Sequence, residues 1–401
     1  MKILFLTPIL PQAPTDGDRV RAFHFLRQAS ARHRVVLASF YARPEEAEER
    51  NLKGLRAMVE ELHLVAMPRP RQLLNALEGF FGPAPLNVRA YESPEMRSLV
   101  SRVSRAHRLD AVYCYRLRMA PYALQAGPLP KVLDFTDSLA TYQERRQAQA
   151  SNPLARWYHA RERSKLSDFE AAMAHQFDLG LMNSRQDGER ISGDAGSPRI
   201  LVVPNGVDRA FYHPARVRRE GATIAFVGHM AYAPNIQAVL WFASRVMPLV
   251  WKREPAARFR VVGGDPPGPV RRLARDPRVE VTGYVDDVRP RLWGAAVSVC
   301  PLLVGVGRQN KVLESFALGL PVVATPLAAQ GVEARDGREL LLAESADEFA
   351  AQVLRLMRDR RLAASLARRA LRFVGTHYDW ERSFGMTEKR LLQIIAKRKR
   401  T

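Results

Sequence analysis

The stretch that decides the fold runs from residue 297 to residue 325. It consists of Val297-Ser-Val-Cys300 and, after a glycine-containing loop, Lys311-Val-Leu-Glu-Ser-Phe-Ala-Leu-Gly-Leu-Pro-Val-Val-Ala-Thr325. The apolar runs 297–300 and 322–324 predict short buried strands, and the apolar positions within 310–318 follow helical spacing. A helix that joins two buried strands is the crossover of a parallel sheet whose two faces are covered by helices.

The same alternation of short apolar runs and longer amphipathic segments continues on both sides of this unit. One series of strands and helices spans residues 2–203, and a second begins at residue 224 and continues to residue 374. Two successive series predict an α/β protein with two Rossmann-like, doubly wound parallel-sheet domains. The stretch 208–222, which contains proline and several arginines, is predicted to be the linker between them.

Composition and charge exclude several classes of protein. The chain has 401 residues, 47% apolar and 26% charged, which excludes a disordered or fibrous protein. Two distant cysteines, Cys114 and Cys300, exclude a disulfide scaffold and a cysteine-based zinc ribbon. The formal charge of +21 favours an anionic partner, although arginine-rich codon usage would also raise it. Because the chain contains no RNP motif, zinc finger or basic zipper, no nucleic-acid partner is expected.

The N-terminal residues predict the first buried strand of the sheet. Their apolar run is short, is broken by Pro8 and is not followed by a signal-peptide cleavage site. No run of about 18 apolar residues occurs anywhere, so no transmembrane helix is expected. We therefore expect a cytoplasmic protein.

Ligands of parallel sheets bind beyond the carboxyl ends of the strands, so candidate site residues should follow strands. The clearest candidate is the loop Gly305-Val-Gly-Arg-Gln-Asn-Lys-Val-Leu-Glu314. Backbone N–H groups at a helix start, with the charges of Arg308 and Lys311, suit a phosphate. Glu314 lies one turn beyond Lys311, where its carboxylate can accept hydrogen bonds from two ribose hydroxyls. A surface Lys–Glu pair is the alternative, but it does not explain the apolar residues that follow. The remaining residues of this predicted cradle are Gly307, Gln309 and Asn310.

Other strand ends carry weaker signals. Gly17 precedes a predicted helix and lets N–H groups approach a phosphate, although a plain turn explains it equally well. Asp134 and Asp137 follow another strand and can bind a sugar hydroxyl or orient an acceptor, whereas Asp137 or its neighbour can instead cap the next helix. His229 follows the strand at 224–227 and is a candidate ligand-binding residue. His24 is expected to be structural.

The block 311–325 resembles the E-A-M-A-x-G-x-P-V-V-x-T block of the retaining GT-B glycosyltransferases of family 4. Similar motifs span nearly the whole chain: Phe226-Val-Gly228-His-Met230 with Pro234-Asn235, Val203-Pro-Asn-Gly-Val-Asp208, Gly283-Tyr-Val-Asp286, a run from Asp178 to Ser184, and His377-Tyr-Asp-Trp380. The nearest subgroup resembles sugar transferases of bacterial exopolysaccharide and exosortase-associated loci.

This resemblance implies two domains that face a cleft. Residues 1–210 would form the N-terminal, acceptor-side domain, and residues 211–375 the C-terminal domain that binds the nucleotide sugar. The last helix, within 376–401, would pack back on the first domain. A nucleotide-diphosphate sugar would be the donor substrate and a glycan or lipid-linked molecule the acceptor, with retention of configuration and with neither a cofactor nor a metal.

The resemblance also implies roles for the candidate residues. Glu314 matches the acid that binds the ribose, and Arg308 or Lys311 would neutralise the diphosphate. The base would lie against Gly263 and the backbone of Tyr284 and Val285, and Gly17 would close over the phosphates from the other domain. Asp137 stands where many relatives carry a histidine-containing motif that touches the donor sugar. We therefore expect Asp137, Arg308 and Lys311 to be catalytic.

The chain departs from the family pattern at the sugar-binding acid. The first acid of the family's E-x7-E motif falls on Val306, and the family's Arg and Lys-Gly after the first C-terminal strand are replaced by Gly228-His229 and Pro234-Asn235. These changes support an alternative function, a catalytically inactive GT-B protein that binds a nucleotide or another anion. The intact block 307–325 favours the transferase.

A basic, partly apolar segment at 67–108 raises the question of a membrane partner. It combines seven arginines with Leu73, Leu74, Leu77, Phe80 and Phe81. A basic helix with an apolar edge suits an anionic leaflet, so the protein can be peripheral on the inner face of the plasma membrane. The alternative, slightly favoured for 73–77, is an ordinary helix that packs its leucines on the core.

Overall fold

The computed structural model describes residues 1–12, 17–150, 152–192, 199–215, 217, 222–304 and 309–399. The chain divides into two compact units. The N-terminal unit comprises Met1–Asn205 together with Trp380–Thr401, and the C-terminal unit comprises Gly206–Asp379. Each unit is a parallel sheet covered by helices, so the predicted fold class is confirmed.

The N-terminal sheet contains seven strands within the described residues. They are β1 (Lys2–Thr7), β2 (Arg34–Tyr41), β3 (Glu61–Ala66), β4 (Ala111–Tyr115), β5 (Lys131–Thr136), β6 (Leu179–Met182) and β7 (Ile200–Val202). The described helices of this stretch are α1 (Gly17–Arg32), α2 (Glu49–Met58), α3 (Arg69–Glu78), α4 (Leu86–Arg89), α5 (Pro94–Ala106), α6 (Ala120–Leu124), α7 (Leu139–Gln149), α8 (Pro153–Gln176) and α9 (Arg185–Ser192).

The C-terminal sheet contains six strands in the part of the unit that is described. They are β8 (Thr223–Val227), β9 (Arg258–Val262), β10 (Val279–Val281), β11 (Val297–Cys300), β12 (Val322–Ala324) and β13 (Leu341–Leu342). The helices are α10 (Ala233–Trp241), α11 (Met247–Trp251), α12 (Gly268–Arg272), α13 (Arg289–Trp293), α14 (Asn310–Ala317), α15 (Pro326–Ala329), α16 (Ala346–Arg358) and α17 (Arg360–His377). The final helix, α18 (Trp380–Arg398), belongs to the N-terminal unit.

Strand order gives each sheet one switch point. The spatial orders are β3-β2-β1-β4-β5-β6-β7 and β10-β9-β8-β11-β12-β13, and every described pairing is parallel. The winding direction therefore reverses between β1 and β4 and between β8 and β11. Crevices that bind ligands form at such points, beyond the carboxyl ends of the strands.

Most predicted strands are present within about two residues of their predicted bounds, the usual uncertainty of such limits. The predicted helix at 346–374 is instead two helices, α16 and α17. The break falls at Asp359, whose side chain accepts a hydrogen bond (2.9 Å) from the backbone N–H of Leu362 and so caps α17.

The segment predicted to be a free linker packs on the C-terminal unit. The indole Nε1 of Trp293 donates to the carbonyl of His213 (2.8 Å), and the Arg289 guanidinium lies 4.0 Å from the centre of the Phe211 ring. Tyr212 contacts the core of the same unit. Residues 211–213 are therefore anchored to the C-terminal unit, and the position of the linker stays a prediction; residues 216 and 218–221 lie outside the described part of the chain.

Helix α18 docks on α1 within the N-terminal unit. The ring of His24 stacks on Trp380, with 4.7 Å between ring centres. The hydroxyl of Ser383 donates to the carbonyl of Pro204 (2.9 Å), and Arg32 pairs with Glu388 (2.7 Å). The histidine on α1 is thus a core residue that secures the last helix.

Candidate functional site

Three glycines follow the strands on one side of the C-terminal switch point. Gly228 follows β8, Gly263 follows β9 and Gly283 follows β10. A Cβ atom on Gly263 would lie 2.0 Å from the carbonyl oxygen of Gly228, so no larger residue fits at that position. The ends of β8 and β9, at Gly228 and Gly263, consequently form an edge without side chains that a ligand can approach closely. This edge is called the glycine ledge.

Lys311 lies beside the glycine ledge, in the first turn of α14. Its Nζ donates to Oδ1 of Asn235 and lies 4.6 Å from the centre of the Phe226 ring. A Cβ on Gly228 would be 2.9 Å from the same Nζ, which places the ammonium group against the ledge. Burial lowers the pKa of Lys311, while Glu314 opposes that shift. Within the described residues this ammonium is held by neutral groups, so its charge can neutralise an anionic ligand.

Glu314 carries a carboxyl group with an unusual environment one turn further along α14. Burial raises its pKa to about 7, against the opposing effects of Lys311 and of a hydrogen bond from Tyr212. The same contact and burial raise the pKa of the Tyr212 hydroxyl. A carboxyl group on a helix that contacts a phenol and lies near a lysine, without a full ion pair among the described residues, is in its charged form a strong acceptor for ligand hydroxyls.

Three more predicted ligand-binding residues lie around the glycine ledge. Tyr284 is exposed, and its ring is close enough to Gly264 that a Cβ there would lie 3.6 Å from Cδ2. Val285 is half-buried. His229 is exposed, and its Nε2 lies 3.1 Å from Oδ2 of Asp265. These side chains are placed where a nucleotide can meet them, and their roles stay predictions.

The loop before α14 is described only in part. Gly307 and Arg308 lie outside the described residues, as does Val306, so nothing in the structure tests their predicted roles. Gln309 is buried and extended, and Asn310 is the first residue of α14. The Gln309 side chain does not cap the helix. The first N–H groups of α14 are therefore suited to an incoming anion.

In the N-terminal unit a buried arginine organises the carboxyl end of the sheet. Arg21, on α1, is 1% exposed, and its Nε donates to Oδ2 of Asp134 at 2.7 Å. Its Nη1 donates to Oδ1 of Asn183 (2.9 Å), to the carbonyl of Val203 (2.9 Å) and to Oδ1 of Asn205 (3.0 Å). One side chain thus ties α1 to the ends of β5, β6 and β7. The sequence analysis did not single out Arg21, whereas Asn183 and Asn205 lie within motifs noted above without being assigned a role.

Asp134 belongs to this buried network and not to a ligand-binding surface. Its side chain is fully buried. It accepts hydrogen bonds from Arg21, from the hydroxyl of Tyr113 (2.5 Å) and from the backbone N–H of Thr136 (3.1 Å). The predicted contact of Asp134 with substrate is therefore wrong, because the residue lies within β5 and neutralises a buried arginine.

Asp137, in contrast, follows β5 with an exposed side chain. Its Oδ1 accepts a hydrogen bond from Nδ2 of Asn183 at 3.2 Å. Desolvation by the surrounding protein raises the pKa of Asp137, and the charge of Arg116 and the Asn183 hydrogen bond oppose that shift. Ser138, not Asp137, caps α7, since its Oγ accepts from the N–H of Thr141 (3.1 Å). The carboxylate of Asp137 is thus not used in capping.

Backbone strain marks the same end of the N-terminal sheet. Arg116 directly follows β4, and Thr136 is the last residue of the adjacent strand β5. Both residues have φ of 70°. Positive φ is uncommon for residues other than glycine, and more so for a β-branched one. Such strain is concentrated at functional sites. Gly17 begins α1, and because residues 13–16 lie outside the described chain, its contact with phosphate stays a prediction.

The described residues contain neither a candidate metal site nor a candidate membrane-spanning helix. No group of three or more His, Cys, Asp or Glu side chains there could hold a metal ion. In the same residues no helix combines the length and the apolar composition that crossing a bilayer requires.

Sequence comparisons match one part of the chain to a family. Residues 221–359 match the family model described as Glycosyl transferases group 1. A curated relative, an uncharacterized 44.6 kDa protein in the cps region of Klebsiella pneumoniae, is 22% identical over 218 residues. That alignment covers 52% of this chain and 54% of the relative, so the chain spans about half the length of the curated relative it matches.

Solved structures resemble the whole chain in fold. HepE of Anabaena, in complex with UDP, has a TM-score of 0.69 at 14% identity, covering 98% of this chain and 100% of that one. A variant of S. aureus TarM, in complex with UDP and two further ligands, has a TM-score of 0.68 at 11% identity. The match covers 98% of this chain and 100% of the TarM chain. Sucrose-phosphate synthase of Thermosynechococcus elongatus has a TM-score of 0.66 at 14% identity. The match covers 99% of this chain and 100% of the synthase chain. Residues 221–359 are therefore similar to the Glycosyl transferases group 1 family, within a chain that has the GT-B fold.

Proposed function

We propose that the protein is a glycosyltransferase. It moves a sugar from a nucleotide-diphosphate sugar, with retention of configuration, to a glycan or lipid-linked acceptor in exopolysaccharide or cell-envelope glycan synthesis. The observation that carries the proposal is the Lys311 ammonium against the glycine ledge, with Glu314 one turn away, inside the matched domain. The complexes of HepE with UDP and UDP-glucose, and the cps-region origin of the Klebsiella relative, support the donor and the setting.

In this proposal the C-terminal unit binds the donor. Lys311, with Arg308, binds the diphosphate, and Glu314 accepts hydrogen bonds from the ribose hydroxyls. The base lies against Gly263 and the Tyr284–Val285 backbone. When the bond from the anomeric carbon to the diphosphate breaks, fixed positive charge and the N–H groups of α14 stabilise the leaving nucleoside diphosphate. This supply of charge makes a metal ion unnecessary for the step.

The N-terminal unit is proposed to serve the acceptor and the transferred sugar. Among the described residues, Asp137 is a carboxylate at the carboxyl end of β5. It is exposed, and it does not cap α7. Its raised pKa is typical of a group that meets substrate in a partly dehydrated site. We assign it the contact with the sugar near the acceptor.

We further propose an anionic membrane surface as a partner of the N-terminal unit. Helix α3 has no buried residue, and Leu73, Leu74 and Leu77 are between 59% and 63% exposed. The slightly favoured expectation that these leucines pack on the core is therefore wrong. Phe81, just beyond the helix, is 89% exposed.

The start of α8 extends this surface. Arg161 donates to the carbonyl of Phe80 (2.6 Å), and its guanidinium lies 4.9 Å from the ring of Phe80 and 5.9 Å from that of Trp157. Trp157 is exposed, and so are the arginines Arg69 and Arg156 at the margins. Apolar side chains among arginines suit the interface of an anionic leaflet. This set is called the apolar ridge: Leu73, Leu74, Leu77, Phe81, Leu154 and Trp157.

A panel of UDP-, GDP-, ADP- and dTDP-sugars tests the proposed activity. Thermal shift reports binding, and release of nucleoside diphosphate reports turnover. A shift with one nucleotide, together with slow release of its diphosphate, is expected and identifies the donor. Absence of a shift with every sugar nucleotide would refute the proposal.

One sequence feature favours a second candidate function. Val306 replaces the acid that contacts the donor sugar in the resembling family, so the chain can instead be an inactive GT-B protein that binds a nucleotide or another anion. The same panel separates the two functions. A nucleotide-dependent shift without any release of diphosphate, even with glycan and lipid acceptors added, favours the inactive binder.

A further inference from the structure

Two sets of hydrogen bonds fix the position of Asp137, one on its backbone and one on its side chain, and both sets lead to Arg21. The residue before it, Thr136, has φ of 70°, and its backbone N–H donates to Oδ1 of Asp134 at 3.1 Å. The carbonyl of Thr136 accepts from the backbone N–H of Asn183 at 2.7 Å. These two bonds hold a backbone conformation that a threonine would otherwise avoid.

The side chain of Asp137 is held separately. Its Oδ1 accepts from Nδ2 of Asn183, and Oδ1 of Asn183 accepts from Nη1 of Arg21. A guanidinium can only donate hydrogen bonds, so it directs the oxygen of the Asn183 amide toward itself and the NH₂ group toward Asp137. The orientation of the amide is therefore set by the arginine.

Both routes lead to Arg21. Its Nε donates to Oδ2 of Asp134, the carboxylate that holds the Thr136 backbone, and its Nη1 donates to Asn183. The guanidinium itself cannot move, since it is 1% exposed, is also bonded to Val203 and Asn205, and lies 4.6 Å from the centre of the Phe25 ring.

We infer that Arg21 is a positioning residue that fixes Asp137 from two sides, through Asp134 on its backbone and through Asn183 on its side chain. The inference rests on the proposed function, in which Asp137 meets the sugar. Asp137 is exposed and follows a strained turn, so without these contacts it would sample several orientations. A fixed carboxylate is ready for substrate before substrate arrives, which lowers the cost of orientation in the reaction.

The two asparagines bound to Arg21 provide a matched test. Asn183 contacts both Arg21 and Asp137, whereas Asn205 accepts from the same Nη1 of Arg21 and, among the described residues, does not bond to Asp137. The experiment is a pH titration of the Asp137 carboxyl carbon by ¹³C NMR in the full-length protein, with Asp137→Asn used to assign the signal. The other charged groups that act on this carboxyl are Arg116, Asp187 and Arg21 itself, and all stay in place in both variants.

Asn183→Ala is expected to raise the pKa of Asp137 by about one pH unit, because a hydrogen bond to the charged form is lost. Asn205→Ala is expected to leave that pKa unchanged. Equal shifts in both variants, or no shift in either, would overturn the inference. If Asn183→Ala fails to fold, Asn183→Asp preserves the size and the acceptor for Arg21 while removing the donor, and a larger upward shift is expected because a second carboxylate then lies beside Asp137.

Turnover gives a second readout that a purely structural role would not produce. Asn183→Ala is expected to lower kcat for sugar transfer about tenfold to hundredfold with an unchanged KM for the nucleotide sugar. If Asp137→Asn retains full turnover, the proposed role of Asp137 fails, while the NMR titration still decides whether Arg21 positions it. A parallel rise of KM and loss of thermal stability without a pKa change would mean that Asn183 is only structural.

Discussion

The two sheets carry buried charge at their carboxyl ends in different ways. In the N-terminal unit, Arg21 forms a 2.7 Å ion pair with Asp134, an amide and a carbonyl accept further hydrogen bonds from Nη1 of Arg21, and a phenol donates to Asp134. In the described part of the chain, only Nη2 of this guanidinium is buried without a hydrogen-bond partner. In the C-terminal unit, Lys311 is held by a neutral amide and an aromatic ring, and Glu314 by a phenol. Neither forms an ion pair among the described residues.

This difference separates scaffold from binding site. A buried charge with its counter-ion inside the protein is already neutralised without a ligand, and its hydrogen bonds serve to fix loops. A buried charge with neutral partners is incompletely compensated, so an ionic ligand can complete its bonding. This comparison is consistent with the proposed roles, in which Arg21 and Asp134 position other residues and Lys311 and Glu314 bind the donor.

The largest expected effect comes from breaking the paired charges. Asp134→Ala should lower the free energy of unfolding by about 3–5 kcal/mol, because Arg21 would remain buried without its counter-ion. Urea denaturation measures the change. The control, Asp276→Ala, breaks the surface pair with Arg278 and should cost less than about 1 kcal/mol. Similar losses in the two variants would remove the distinction between scaffold and surface charge.

Removal of the lysine tests the opposite half of the comparison. Lys311→Ala should weaken binding of the nucleoside diphosphate identified by the panel by about 1.5–3 kcal/mol, through loss of a charge-assisted bond. Calorimetry measures this affinity. Removal of the lysine should also raise the pKa of Glu314 further, because the charge of Lys311 lowers it in the wild type. Lys252→Ala, at an exposed lysine of the same unit, is the control, and an equal loss of affinity there would contradict the assignment.

Glu314 makes stability depend on pH. Its pKa of about 7 in the folded protein lies above its ordinary value of 4.5, so folding favours the protonated form. The free energy of unfolding should therefore fall as pH rises from about 4.5 to about 7, and level off above that. Glu314→Gln should remove about 1–3 kcal/mol of this loss and also weaken nucleotide binding.

Denaturation of wild type and Glu314→Gln at pH 5 and pH 8 measures this difference. Glu170, whose pKa burial also raises to about 7, adds the same trend to both proteins and cancels in the comparison. An identical pH dependence in the two proteins would show that Glu314 does not titrate in this range. Unchanged nucleotide affinity in the variant would argue against the ribose contact.

The smallest expected effect concerns the apolar ridge. Replacing Phe81 or Trp157 by serine should weaken binding to anionic vesicles by about 1–2 kcal/mol, because each side chain would otherwise enter the interface. Sedimentation with vesicles measures binding, which should fall as salt is added. Leu392→Ser, at an exposed leucine on α18, serves as the control. Equal binding to neutral vesicles would count against an anionic partner.

Much of the fold was predictable because its signal is local. Strands such as β8 and β11 are short apolar runs followed by glycine or a loop, and burial on both faces makes that pattern independent of distant residues. The anchoring of residues 211–213 and the packing of α3 were predicted less well. Whether Phe211 anchors a segment or Leu77 faces the core depends on what lies opposite, and apolar spacing is the same in both cases.

The site was predictable to a similar extent. Lys311 and Glu314 share a short helix next to a glycine loop, so their proximity follows from helical spacing. Arg21, Asp134 and Asn183 are far apart in sequence: the first lies on α1, the second on β5 and the third just after β6. No spacing rule brings them together, which explains why Asp134 was assigned to substrate and Arg21 was missed.

The sequence by itself determined the two parallel α/β units, the strand-end glycines and the helix that carries Lys311 and Glu314. These features depend on residues within a few turns of one another or on the periodicity of apolar side chains. Only the tertiary structure decided which charges are paired internally and which have neutral partners. That distinction depends on which strand ends become neighbours across the sheet, and the carboxyl-end geometry brings together residues more than a hundred positions apart, such as Arg21 and Asp134.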